Sequence, residues 1–186
     1  MSKVFSALAV SVDGYITGRE PGPGRGLGDG GQLFDWYGDS DTRSREVFGM
    51  LAGRVGATLA GRNTYEDSER FGDTDGPHPT APLIVLSHRP APDMGGRQTL
   101  VTTGIEDAVA VAKKAAGDKD VALMGGGVVA AALEAGLVDE LVLHQVPVLL
   151  GAGRPYFQQL PAHIQLRLIE AVAAPGVTHL HYAVER

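Results

Sequence analysis

Short apolar runs rich in β-branched residues alternate with helix-patterned segments along most of this chain. That alternation constrains the fold more than any other feature. The runs are "KVFSALAVSV" (3–12), "VGATLAG" (55–61), "LIVLS" (83–87), "TLVTT" (99–103), "DVALM" (120–124) and "ELVLHQVPVLLG" (140–151). A parallel neighbour can be reached only by a crossover, so strand, helix, strand in repetition gives a mainly parallel sheet with helices on its faces. At the end of the chain "IQLRLIEAVAA" and "VTHLHYAVE" flank Pro175-Gly176, a turn pair that joins antiparallel strands. The expectation is a single three-layer α/β/α domain over residues 1–186, with a mixed, mostly parallel sheet and a C-terminal antiparallel hairpin.

The helices between the strands carry their own marks. From Asp41 to Arg54 one face holds Val47, Met50, Leu51 and Arg54, with Phe48 at its border. Ser40 or Asp41 can accept from the free N–H groups at the start. "RNTYEDSERF" is polar and helical in pattern. Thr103 and Glu106 have capping-box spacing ahead of Ile105, Ala108, Val109 and Ala112, and Gly117 ends that helix. Gly136 closes the helix in "VVAAALEAG".

Composition excludes several classes. A formal charge of -6 and a pI near 5.4 leave no basic stripe for nucleic acid. No apolar segment reaches the ~18–20 residues that span a bilayer. Cysteine is absent, which rules out disulfides, thiolate metal sites and a cysteine nucleophile; a cytoplasmic protein is the default. Glycine is the exception to an ordinary composition: 26 of 186 residues is about twice the usual ~7%.

The glycines concentrate at two places. One is the irregular stretch between the first strand and the first helix, where "GLGDGG" (26–31) spells G-x-G-x-x-G. A dinucleotide fingerprint must follow a strand and open a helix; this one lies deep in a loop, so it reads as a mobile loop. The other is "LMGGGVV" (123–129), where a strand runs into Gly125, Gly126 and Gly127 and then a helix. A helix start carries unpaired N–H groups and positive partial charge, and glycine lets a pyrophosphate approach them. A tight strand-to-helix turn explains the glycines equally well.

Two further strand ends have the same character. "AGRNTYE" places Gly61, Arg62, Asn63 and Thr64 after a strand, and "LSHRP" places Ser87, His88 and Arg89 after another. Ligands of open α/β sheets bind beyond the carboxyl ends of the strands, and arginine forks onto phosphate oxygens. Three such ends together point to a nucleotide site. His179 and His181 alternate on the last strand; without further ligands nearby they read as a surface pair rather than a metal site, and His144 as structural. A P-loop lysine motif and a G-x-S-x-G elbow are both absent.

In order and spacing, "SVDGYIT", "GRNTYE", "LIVLSHR", "LMGGGVVAAALEAGLVDEL" and "VPVLLGAGRPYF" resemble the dihydrofolate reductase-like fold, and within it the RibD C-terminal (pyrimidine reductase) family. The resemblance spans nearly the whole chain and implies an NADPH-dependent reductase, similar to 5-amino-6-(5-phosphoribosylamino)uracil reductase. It assigns Gly61, Arg62, Asn63 and Thr64 to the pyrophosphate and 2′-phosphate side, and Ser87, His88 and Arg89 to the 2′-phosphate. Thr102 and Thr103 fall at the adenine edge. Gly125, Gly126 and Gly127, followed by Val128 and Val129, receive the pyrophosphate through a cis glycine–glycine step. The glycine-rich loop matches the one that closes over nicotinamide and substrate.

On the substrate side the candidates are Asp13, Asp41 and Glu46 as catalytic carboxylates and Trp36 as a substrate contact. A carboxylate can hold an amino-rich ring or relay a proton; Asp13-Gly14 also reads as a turn. A stand-alone domain is implied, because the H-x-E and P-C-x-x-C signature of a deaminase is missing. A small-molecule substrate and a homodimer through 146–157 are expected. A genuine dihydrofolate reductase and a nucleotide-binding protein without turnover are the alternatives.

Overall fold

In a computed structural model, residues 2–38, 41–90 and 94–185 are described. Eight strands form one sheet in the order β4-β3-β2-β5-β1-β6-β8-β7. The strands are β1 (Val4–Ser11), β2 (Val55–Gly61), β3 (Leu83–Leu86), β4 (Gln98–Val101), β5 (Asp120–Met124), β6 (Glu140–Val146), β7 (Leu166–Ala174) and β8 (Val177–Val184). Neighbours from β4 through to β6 pair parallel, and β6-β8 and β8-β7 pair antiparallel. Gly176, at φ 71°, turns the terminal hairpin.

The helices are α1 (Thr42–Arg54), α2 (Arg62–Asp67), α3 (Ile105–Ala116) and α4 (Gly126–Glu134). Alternation along each strand separates two cores. Val4, Leu59, Val121 and Leu123 pack with Ala108, Val109 and Ala112 of α3 and Val129 and Leu133 of α4. On the opposite face Phe5 and Val142 pack with Leu51 of α1, and Ala60 and Val85 pack with Tyr65 of α2. The result is the expected three layers with a mostly parallel sheet.

Several local expectations change. Asp41 caps α1, its Oδ2 accepting from Ser44 N–H at 3.1 Å; Ser40, the other candidate, lies outside the described residues. The buried stripe of α1 runs through Ser44 and Leu51, while Met50 is 52% exposed. Ser44 bonds to β8, and this turns the helix away from the face that apolarity alone selects. The Thr103–Glu106 box does not form, because Gly104, at φ 120°, takes the cap position itself.

The polar helix after β2 stops at Asp67, and a kinked 3-10 stretch follows at Glu69–Thr74. The strand expected over 140–151 ends at Val146. Pro147 has no N–H for the ladder, and the Asp13 carboxylate instead takes Leu150 N–H at 3.1 Å and Gly151 N–H at 2.7 Å. Residues 147–158 form a strap that folds back over the sheet's carboxyl edge.

Candidate functional site

The chain leaves β1 toward β2 with α1 on one face, and leaves β5 toward β6 with α4 on the other. Where crossovers diverge in this way the carboxyl ends of the strands part and a crevice opens. A cleft of about 1060 Å³ occupies this place.

One end of the cleft is built from the carboxyl ends of three strands, two of which open helices. At the first, Gly125 caps α4 with φ 98° and ψ 139°, no side chain caps the helix, and its first turn holds no acid. The expected cis glycine–glycine step is absent: every peptide bond among the described residues is trans, and the left-handed Gly125 makes the turn instead. A Cβ on Gly125 would run into Thr64 Oγ1. At Gly126 a Cβ would lie 2.6 Å from Pro155 O and 2.9 Å from Tyr156 O. Gly126 therefore lacks a side chain because the strap's backbone crosses it. Gly127 is exposed to the cleft, with Gln158 Nε2 3.6 Å from where its Cβ would stand.

At the second junction Gly61 precedes α2. Arg62 donates from Nε to Glu66 Oε1 at 2.8 Å and from Nη1 to Pro90 O at 3.2 Å. Asn63 and Thr64 line the cleft beside it. At the third, Ser87 is buried; its Oγ donates to Arg89 O at 2.9 Å and accepts from Arg89 N–H at 3.1 Å. That turn points His88 and Arg89 outward into the cleft lining. The structure thus gathers Gly61, Arg62, Asn63, Thr64, Ser87, His88, Arg89, Gly125, Gly126, Gly127 and Val128 around one cavity. Thr102 is exposed and outside the lining, and Val129 faces the core.

The other end of the cleft is apolar: Leu8 and Ala9 of β1, Ile16, Leu27 and Phe34. Gly26 and Leu27 bring the glycine-rich loop to this edge. The substrate-side candidates lie elsewhere. Asp13 accepts from Ser11 Oγ at 2.5 Å and from the strap, and these bonds hold its carboxyl below the usual range. Asp41 caps α1, and Glu46 is exposed on that helix. Trp36 is 5% exposed, packed with Ala9, Leu33, Val146 and Val177, its ring 5.2 Å from His144 and 5.3 Å from His179.

The histidine expectation is corrected here. His179 is buried, not superficial, because α1 lies across that face of β8. Its Nδ1 is 2.8 Å from His144 Nδ1 and its Nε2 is 3.1 Å from Ser44 Oγ. His181 pairs with Glu140 at 3.0 Å.

Sequence reasoning missed Asp67, Thr17, Arg154 and Gln158, all in the lining. The available signal was the polar Arg154 and Gln158 interrupting the apolar "VPVLLGAGRPYF" segment and its continuation.

The sequence model of the RibD C-terminal domain family matches residues 2–180. Over 180 residues the chain is 24% identical to the uncharacterized protein YwjB of Bacillus subtilis (strain 168), covering 97% of each. A putative riboflavin biosynthesis protein from Shewanella sp. PV-4 superposes with a TM-score of 0.76 at 28% identity, covering 100% of both chains. A dihydrofolate reductase from Enterococcus faecalis, complexed with NADP(H), superposes with a TM-score of 0.62 at 17% identity, covering 99% of this chain and 97% of that one; this likeness concerns the fold.

Proposed function

The chain belongs to the RibD C-terminal domain family, and on that premise we propose that it is an NADPH-dependent reductase of a small C=N or C=O substrate, pterin- or pyrimidine-like in shape. The observation that carries this reading is the convergence of three strand ends, two of them opening helices, on one cleft. The residues fit the cofactor: an uncapped helix start without an acid, an open Gly127, and Arg89, whose guanidinium makes no bond among the described residues. The N–H groups at the start of α4 suit a pyrophosphate, and Arg89 with Ser87 and His88 suits a 2′-phosphate. The cofactor, when bound, supplies a hydride. The protein's part is to hold it and to present the substrate against Leu8, Ala9, Ile16 and Phe34, where apolar side chains exclude water. The likeness to a dihydrofolate reductase complexed with NADP(H) supports the cofactor assignment.

Titrating wild type with NADPH and NADH tests the reading, with NADPH expected to bind more tightly. Arg89→Ala is expected to weaken NADPH about 10- to 150-fold, the span of one charged hydrogen bond, while NADH changes little. Equal affinity for the two cofactors in wild type sinks the 2′-phosphate assignment. NADPH oxidation against a panel of pterins and pyrimidines separates an enzyme from a binding protein without turnover.

The reading includes a homodimer. Leu149 is 73% and Phe157 40% exposed, and most soluble oligomers form through two-fold contacts. Arg154 and Pro155 line the cleft and Tyr156 is buried, so the contact is assigned to the strap's start and to Phe157. Light scattering at micromolar concentration checks it; a monomer's mass counts against the dimer.

A further inference from the structure

The apolar end of the cleft continues past its rim, over aromatic rings that packing alone does not require. The first of them stand on a short 3-10 helix, Gly31–Gly38, which carries Leu33, Phe34, Trp36 and Tyr37. Residues three apart lie above one another in such a helix. Leu33 and Trp36 therefore share one edge, and Phe34 and Tyr37 share the next. The first edge is buried with Ala9, Val146 and Val177, and Trp36 Nε1 donates to Leu33 O at 2.8 Å. The second edge faces outward: Phe34 is 49% and Tyr37 53% exposed.

Leu33 and Trp36 already anchor this helix to the sheet, so the core gives no reason for two more aromatic side chains. Phe34 lines the cleft. Its ring centre is 6.3 Å from that of Tyr37, edge to face, and Tyr37 stands 4.9 Å from Phe48 of α1, also edge to face. Phe48 is 40% exposed. A continuous track of rings thus leads from the cavity to open surface. Apolar residues exposed singly are ordinary, whereas a contiguous apolar patch marks a contact. The charged residues nearest the rings in sequence are Asp35, Arg45 and Glu46, all exposed. With two acids and one base among them, no positive charge gathers here for an anion. The homodimer contact assigned above uses Leu149 and Phe157, on another segment. The cleft's apolar end runs directly into the track through Phe34.

We propose that Phe34, Tyr37 and Phe48 form a subsite for an uncharged apolar arm, aryl or alkyl, which projects from the substrate's ring out of the cleft. The proposal rests on the reductase reading of the cleft and narrows its substrate class to a heterocycle with an apolar substituent. The ring rests on Leu8, Ile16 and Phe34. The inner part of the arm meets Phe34 and Tyr37, and its outer part meets Phe48.

The test uses uracils that carry a methyl, benzyl, 3-phenylpropyl or 3-carboxypropyl group at carbon 5 or carbon 6. They are titrated by calorimetry into protein saturated with NADP⁺. Wild type is expected to bind the phenylpropyl probe most tightly, then benzyl, then methyl, each added ring contact giving about 2- to 12-fold, the span of an aromatic pair. The carboxypropyl probe is expected to bind no better than methyl. Tyr37→Ser is expected to narrow the advantage of benzyl over methyl, and Phe48→Ser that of phenylpropyl over benzyl. Tyr37→Leu and Phe48→Leu, which lose the ring but stay apolar, are expected to lose part of the same advantage. They serve if a serine variant does not fold, which a thermal melt shows.

The proposal is overturned if neither arylated probe binds wild type better than the methyl probe, if the carboxypropyl probe binds best, or if both serine variants keep the wild-type ratios. It is also overturned if Phe48→Ser changes the particle mass in light scattering, since the patch is then a contact between copies. Failure of wild type to bind NADP⁺ sinks the reductase reading instead; the probes are then titrated without cofactor, and the expectations for Tyr37 and Phe48 are the same.

Discussion

Gly126 and Gly127 are neighbours with different reasons for having no side chain. The backbone of Pro155 and Tyr156 crosses Gly126, so Gly126→Val is expected to cost about 2 kcal/mol by overpacking. A loss of cofactor binding in that variant would follow from damage to the strap. Gly127 faces the cleft, so Gly127→Val is the cleaner probe: the fold is retained and NADPH weakens about tenfold or more, the loss when one bond to a phosphate is not made. Thermal melts and a fluorescence titration of both variants check this, and a Gly126→Val protein as stable as wild type contradicts it. The sequence singled out the glycine triplet, and the triplet lines the cleft. It did not reveal which glycine another backbone covers, because the crossing segment at Pro155 and Tyr156 is about thirty residues away.

At the scale of elements, α1 is tied to the sheet by its last residue. Arg54 donates from Nε to Asp120 Oδ2 at 2.6 Å and from Nη1 to Glu140 Oε2 at 2.7 Å, and its guanidinium lies 4.4 Å from the centre of the Phe5 ring. Asp120 opens β5 and Glu140 opens β6, so one side chain joins the helix to the amino ends of two strands. Glu140 is also met by Lys3 and His181. Removing one partner of a buried pair costs about 3–5 kcal/mol. With Lys3 and His181 still on Glu140, Arg54→Ala is expected near the lower figure, about 3 kcal/mol. Urea denaturation measures it, and a change below about 1 kcal/mol means that the network behaves as a surface pair. Periodicity placed Arg54 on the apolar face of its helix, yet nothing local to α1 announces Asp120 or Glu140.

At the scale of the molecule, two buried groups set an acid limit on stability. Burial, with the charge of His179 second, pushes His144 down to about 3. The unfolded chain takes that proton at about 6.5. Below that pH the unfolded state binds more protons than the folded one, so stability falls as pH falls, by up to about 1.4 kcal/mol per pH unit, until His144 itself titrates in the folded protein. Burial alone would raise Glu140, but hydrogen bonds from Lys3, Arg54 and His181 outweigh it and hold its carboxyl at about 2. The stability this gives is present above the usual carboxylate range and is lost as pH drops through it. The unfolding free energy is therefore expected to decline below about pH 6.5 and more steeply below about 4.5. Trp36, the single tryptophan, touches both histidine rings and reports the transition. His144→Leu is expected to flatten the upper part of this profile; a slope identical to wild type assigns the acid loss to other groups.

The sequence by itself determined the layer order, the parallel run of strands, the closing hairpin and the three strand ends that meet at the cleft. These depend on periods of two and near four residues and on turn chemistry, all of which act between near neighbours. The RibD C-terminal resemblance was equally legible, since it rests on short motifs in a fixed order. Tertiary structure alone decided the rest. Ser44 meets His179 across 135 positions of chain, which buries a histidine that alternation placed on the surface. Arg154 meets Asp67 across 87 positions, which puts a charge pair into a cleft whose substrate side was expected to carry carboxylates. Strand order and the path of the strap bring such groups together, and the hydrophobic pattern of any one segment carries no information about which distant polar side chain will face it.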